Sequence, residues 1–194
     1  PTWSDLNNPS IVPPLGDRKA PDIGPVALMV SCAPDLGLIR AGLDTPRTVG
    51  FFNNSLLLPP SGEKGLSVAG PFMGAPYAVM LLESLIARGA DTVIVLGWCG
   101  GLIPDLSVGD LLLVDKAIVD EGTSVNYARL DPALPCSLPD PGLTRELAAF
   151  FNDFNGSDTR ERTRRIQPVG KTIWTTDAIY RETPAKVAHF RGLG

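Results

Sequence analysis

Between residues 65 and 97 the chain reads as a short apolar segment, a striped helix and a second apolar segment. Ala75, Ala78, Val79, Leu82 and Ile86 recur at spacings of three and four, which predicts a helix over 75–88 with one apolar face. Pro76 falls in the first turn, where a missing amide costs little. Gly89 follows the last turn, where a C-terminal cap belongs. The segment 91–97, DTVIVLG, has the almost unbroken apolar character of a strand buried on both faces. A helix joined by a short loop to such a strand is half of a β–α–β unit. It constrains the chain to an α/β fold with parallel pairing.

The rest of the chain fits that class. Residues 25–31 (PVALMVS) predict another buried strand, and 34–42 carry a loose helical pattern. Residues 48–58 predict one or two short strands broken at Asn53 and Asn54. Strands are expected at 65–70, 111–119 and 166–175, and helices at 143–154 and from 184 to 191. The 19 prolines and 20 glycines concentrate in part at 9–25 and 131–141, which read as extended arms or loops. Residues 1–24 are therefore read as a proline-rich N-terminal arm and 25–194 as one domain.

Composition narrows the function classes. A chain of 194 residues, 44% hydrophobic and 20% charged, holds one sizeable core. The net charge of −4 and the absence of a long basic run argue against a nucleic-acid groove. Arg160, Arg162, Arg164 and Arg165 alternate with Asp158 and Glu161 and read as a solvated face. The cysteines Cys32, Cys99 and Cys136 are odd in number and lack close pairing, which fits a reducing cytoplasm better than a disulfide framework. One histidine, His189, and no CxxC leave no ordinary zinc site, and a helix-end or surface position is expected for it. No apolar run reaches the ~18 residues of a membrane span. The N-terminus lacks a basic region followed by an apolar stretch, so no secretory signal is expected.

Two strings carry candidate chemistry. Gly97-Trp98-Cys99-Gly100-Gly101 lies just past a strand end, where open α/β sheets collect ligands and glycines let amides approach them. A plain tight turn has the same spacing. Cys99 has no histidine near it in sequence and is read as a buried, unreactive thiol. The string WTTDAIYRE, residues 174–182, places Asp177 where it accepts backbone amides in a turn, or else sets Ile179 and Tyr180 against a flat ring. Glu83, among apolar neighbours, is expected on a solvent or subunit-facing side.

Taken in order, several strings resemble the nucleoside phosphorylase superfamily. They are Ser31-Cys32-Ala33-Pro34, Gly70 to Gly74, Gly97 to Gly101, Val108-Gly109-Asp110, Glu121-Gly122-Thr123-Ser124 and Thr176-Asp177-Ala178-Ile179-Tyr180. The resemblance covers roughly residues 25–194 and is strongest over 65–127. It implies a three-layer α/β/α sandwich around a twisted mixed sheet and cleavage of an N-glycosidic bond. It implies substrate contacts from Gly70, Trp98, Cys99, Gly100, Asp177, Ile179 and Tyr180, with the loops at 70–74, 97–101 and 176–180 converging on one pocket. It also implies a small nucleoside or base as ligand, no cofactor beyond inorganic phosphate as co-substrate, and a homo-oligomer with shared sites. No catalytic residue is assigned.

The chain departs from that pattern at several places. Phosphate is held in the family by arginines and small hydroxyl residues, because a guanidinium donates paired hydrogen bonds to an oxyanion. Val95 and Leu36 stand where two such arginines belong, and Trp98 replaces the hydroxyl residue. Each charged hydrogen bond lost to a buried anion costs about 1.5–3 kcal/mol. Arg40 and Arg47 are the candidate substitutes, Arg47 lying where the family often donates an arginine to a neighbouring subunit. Thr183 and Ala185 replace the glutamine and arginine of uridine-specific members. Ile179 replaces an aromatic ring. The Met-Glu strand that holds the ribose, and the later aspartate that protonates a purine, fall beyond Gly194 in the family's order. Three functions are therefore carried forward: a phosphorylase, a hydrolytic nucleosidase, and a non-catalytic binding or interaction relative.

Overall fold

The computed structural model describes residues 6–14, 23–44, 47–51, 53–59, 65–157 and 166–193. The arginine cluster at 160–165, and residues 1–5 and 15–22 of the proline-rich arm, lie outside the described residues; residues 7–14 form turns and bends with exposed side chains. Two compact units divide the chain, a first over Ser4–Trp98 and a second over Cys99–Gly194.

The first unit contains β1 (Val26–Val30), α1 (Ala33–Gly42), β2 (Arg47–Phe51), β3 (Asn54–Leu58), β4 (Leu66–Gly70), α2 (Ala75–Ile86) and β5 (Thr92–Leu96). Its five strands lie in the order β2-β3-β4-β1-β5. β1 is parallel to β4 and β5, whereas β3 is antiparallel to both β2 and β4. The sheet is therefore mixed, as expected. The break foreseen at Asn53 is the reversal between β2 and β3, and Asn53 takes φ 60° there. Its short polar side chain suits that left-handed backbone.

Alternation along the strands sorts the core into two faces. Ala27, Met29, Leu56, Leu58 and Ala69 pack with Leu81 and Leu85 of α2. Val30, Leu57 and Val68 pack with Leu36 of α1, joined by Leu28 and Ile39. One helix covers each face, which gives the three layers. Ile23, from the end of the arm, already belongs to the core, and its amide donates to the Arg88 carbonyl at 3.0 Å.

Two expectations need correction here. The buried line of α2 runs through Leu81, Ser84 and Leu85, while Ile86 of the expected stripe is 54% exposed. The helix is apolar on most of its circumference, so spacing alone does not choose the face that meets the sheet. Glu83 is half-buried. β5 is not buried on both faces: it ends the strand order, its side chains are mostly half-buried and Val95 is 59% exposed.

The second unit contains β6 (Leu111–Asp120), β7 (Cys136–Ser137), α3 (Pro141–Ser157), β8 (Ile166–Thr176) and α4 (Pro184–Arg191). Its sheet has the order β7-β6-β8, with β6 and β8 parallel and α3 packed against both. Asp120 pairs with Thr176, so the ends of β6 and β8 are level. Pro184 opens α4, and the Thr183 hydroxyl caps it by accepting from the Lys186 amide at 3.4 Å. Among the described residues no helix is long and apolar enough to cross a membrane.

Candidate functional site

In the first unit the carboxyl ends of β4, β1 and β5 lie side by side. Ala69 pairs with Met29, Val30 pairs with Leu96, and the Ser31 amide donates to the Leu96 carbonyl at 2.9 Å. The chain leaves β1 toward β2 on one side and leaves β4 toward β5 on the other, under helices on opposite faces. This reversal is the topological switch point at which ligands enter α/β sheets. Gly70 closes β4, and a Cβ there would collide with the Val30 carbonyl oxygen. A Cβ on Gly97 would stand 3.2 Å from Ser31 Oγ. Glycine at both positions lets the neighbouring strand ends close up on the end of β1, at Val30 and Ser31.

α1 starts at this edge, with Cys32 at its N-cap and Asp35 in its first turn. Trp98, 70% exposed, reaches back from the end of β5 and donates its indole N–H to Asp35 Oδ2 at 2.6 Å. The helix start therefore carries its own carboxylate, placed where the helix dipole favours negative charge. Leu36, at a position where the family resemblance expects an arginine, is buried among Val30, Leu57 and Val68.

Gly70 and Trp98 are thus brought to one edge. Arg40 and Arg47 are not brought there. Arg40 is exposed in the last turn of α1, seven residues and about 10 Å of helix from the turn that holds Ala33. Arg47 opens β2, which runs in the same direction as β4, so it lies toward the opposite end of the sheet.

The other expected site residues lie in the second unit. Cys99 and Gly100 are exposed, against the expectation of a buried thiol for Cys99; among the described residues Cys32, Cys99 and Cys136 are free. Asp177 Oδ2 accepts the Gly122 amide at 3.0 Å, which ties the end of β8 to the segment that follows β6. Ile179 and Tyr180 sit in a single 3₁₀ turn, 68% and 98% exposed. His189 is exposed in the last turn of α4, with the Phe190 ring edge-on at 5.0 Å.

Three carboxylates border a concavity of about 450 Å³ at the ends of β6 and β8, opposite Val125, Leu130 and Pro135. All three are engaged. Asp177 holds Gly122, and Glu121 accepts the Thr123 amide at 2.5 Å and the Ser124 amide at 3.1 Å. Asp120 Oδ2 accepts from Lys186 Nζ at 2.6 Å and from Trp174 Nε1 at 3.1 Å. Burial pushes the Asp120 carboxyl up, but the Lys186 and Trp174 hydrogen bonds and the Lys186 charge together hold it below its ordinary value. Burial likewise pushes Glu121 up, and its bonds from Ser124 and Thr123 hold it down. Neither group is tuned to exchange a proton near neutrality.

Sequence reasoning missed Asp35, Asp120, Trp174 and Lys186 as organising residues. Trp98 and Asp35 are 63 residues apart and Lys186 and Asp120 are 66 apart, so no local pattern joins them. The only signal was Thr183-Pro184, a helix start that aims the first turn of α4.

A family model described as the phosphorylase superfamily matches residues 45–194. Over 121 residues the chain is 33% identical to the uridine phosphorylase of Treponema pallidum, covering 60% of this chain and 46% of that relative. Over 66 residues it is 38% identical to the uridine phosphorylase of Thermococcus kodakarensis, covering 34% and 24%. The chain spans less than half the length of these curated relatives. Its fold is similar to that of the uridine phosphorylase from Vibrio fischeri ES114, with TM-score 0.71 at 18% identity over 89% of this chain and 67% of that one. It is also similar to the AMP nucleosidase from Bacteroides thetaiotaomicron, with TM-score 0.67 at 24% identity over 89% and 65%. At these identities the structural likeness establishes the fold.

Proposed function

The chain belongs to the phosphorylase superfamily, and from that premise we propose that it serves cleavage of the N-glycosidic bond of a nucleoside, with phosphate as the acceptor. The observation that carries this reading is the switch-point edge of the first unit, where the glycine ending β4 crowds Val30 and the glycine after β5 crowds Ser31. The names of the relatives, uridine and guanosine phosphorylase among them, support phosphate as the acceptor. In the second unit, Ile179 and Tyr180 offer apolar surface to a flat base. We place the protein in a reducing cytoplasm, in keeping with its three free cysteines. We also propose a homo-oligomer in which Arg47 serves a neighbouring subunit's site.

The test is release of free base from inosine, guanosine, adenosine and uridine, with and without inorganic phosphate. Phosphate-dependent release is expected from at least one of them. No release in either buffer, with no nucleoside binding by calorimetry, would leave only an interaction role.

A second reading uses water in place of phosphate. It is favoured by the Trp98–Asp35 hydrogen bond, which sets a carboxylate at the start of α1, and by Leu36 and Val95 at the arginine positions. Base release at the same rate without phosphate decides for water. On that reading Asp35→Asn, which removes the resident charge, is expected to make the rate respond to phosphate.

A further inference from the structure

Four contacts in the second unit meet around one carboxylate. Asp120, the last residue of β6, accepts from Trp174 on β8 and from Lys186 on α4. The Trp174 ring stacks on Phe190, one helical turn beyond Lys186, with centroids 4.2 Å apart and planes 13° from parallel. Lys186 Nζ stands 5.5 Å from the Trp174 ring centroid. One side chain thus fastens a helix to the ends of two strands.

Between β8 and α4 runs the link 177–183, and both of its ends are fixed. Asp177 is held by the Gly122 amide at 3.0 Å, and Thr183 accepts the Lys186 amide at 3.4 Å. Inside the link the Arg181 amide donates to the Ala178 carbonyl at 2.8 Å. Yet this ordered turn holds Ile179 68% and Tyr180 98% exposed. The turn thus holds two adjacent large side chains together on one ordered, exposed segment.

We propose that Lys186 is a positioning residue for ligand recognition. Through Asp120 it holds α4 against the ends of β6 and β8, and so fixes the 177–183 turn in the form that presents Ile179 and Tyr180 to a planar ring. The inference rests on the nucleoside reading above. Its physical basis is preorganisation: a turn ordered during folding need not be ordered again at binding. Loss of Lys186 therefore weakens ligand binding and leaves the bond-breaking step alone.

The test uses Lys186→Met, which keeps the stem over Trp174 but removes the charge, and Lys186→Arg, which restores it. Hydrogen exchange on the unliganded protein reads the turn directly. In Lys186→Met the amides of 178–183 are expected to exchange about tenfold faster while those of β6 and β8 do not change. Lys186→Arg is expected to return them toward wild type. In the kinetic arm, KM for the preferred nucleoside should rise about tenfold with kcat unchanged. Unaltered exchange in the turn overturns the inference, as does equal loss of protection across β6 and β8, which would make the pair a plain stability contact. A wild-type protein that binds no nucleoside removes the nucleoside reading and the recognition role with it. The exchange result would then report a structural tie only.

Discussion

Single atoms decide much of the switch-point edge. Gly70 has no room for a side chain beside the Val30 carbonyl oxygen, which is backbone and cannot move aside cheaply. Gly70→Ala is expected to destabilise the fold by about 1–3 kcal/mol, the usual cost of overpacking, as read from a urea midpoint with unchanged slope. A midpoint equal to wild type would show that the strand ends are looser than this geometry states. The motif glycines were legible in the sequence, but the reason for them was not. A glycine-rich turn is compatible with ligand approach, with left-handed backbone or with close strand contact, and for Gly70 the contact with β1 is what its position requires. Likewise Asp177 was legible as a turn residue or a ligand, and in the structure one of its carboxylate oxygens accepts the Gly122 amide from the segment after β6.

At the scale of elements, the ends of β6 and β8 depend on carboxylates held ionised. The folded-state pKa of Asp120 lies below its unfolded value because of Lys186 and Trp174. A depressed carboxylate contributes stability that is complete above its unfolded pKa, about 3.9, and is lost as pH falls through the folded value. α4 should therefore stay docked through mildly acid pH and release only below the usual carboxylate range. An NMR titration of the Asp120 carboxyl checks this, and Lys186→Met is expected to move its midpoint upward. A midpoint indifferent to that substitution would show that the lysine charge does not govern it. Most of the elements themselves were foreseen from periodicity and punctuation, including the helix from Ala75 and the break at Asn53 and Asn54. The face of α2 was not, because a helix apolar nearly all round has no unique stripe. Its partner is chosen by the strands of the sheet, through Leu81 and Leu85.

At the scale of the whole molecule, the helix–loop–strand pattern led to the α/β class, and the order of the motifs led to the superfamily by resemblance. Arg47 lies away from the Gly70–Trp98 edge of its own chain, and it can serve an acceptor site only if a neighbour brings that site to it. Sedimentation equilibrium is expected to return a multiple of 20.6 kDa. A monomer mass would remove Arg47 from any acceptor role.

The sequence by itself determined what is local: where strands and helices start and stop, which turns need glycine, and the succession of strings that marks the family. Those features depend on backbone conformation and spacing within a few residues. Only the tertiary structure decided which groups meet. Trp98 with Asp35, and Asp120 with Trp174 and Lys186, are joined across more than fifty residues by parallel strands whose ends happen to be level. Charge and hydrogen bonding act over a few ångströms of space, and a linear pattern does not record that distance.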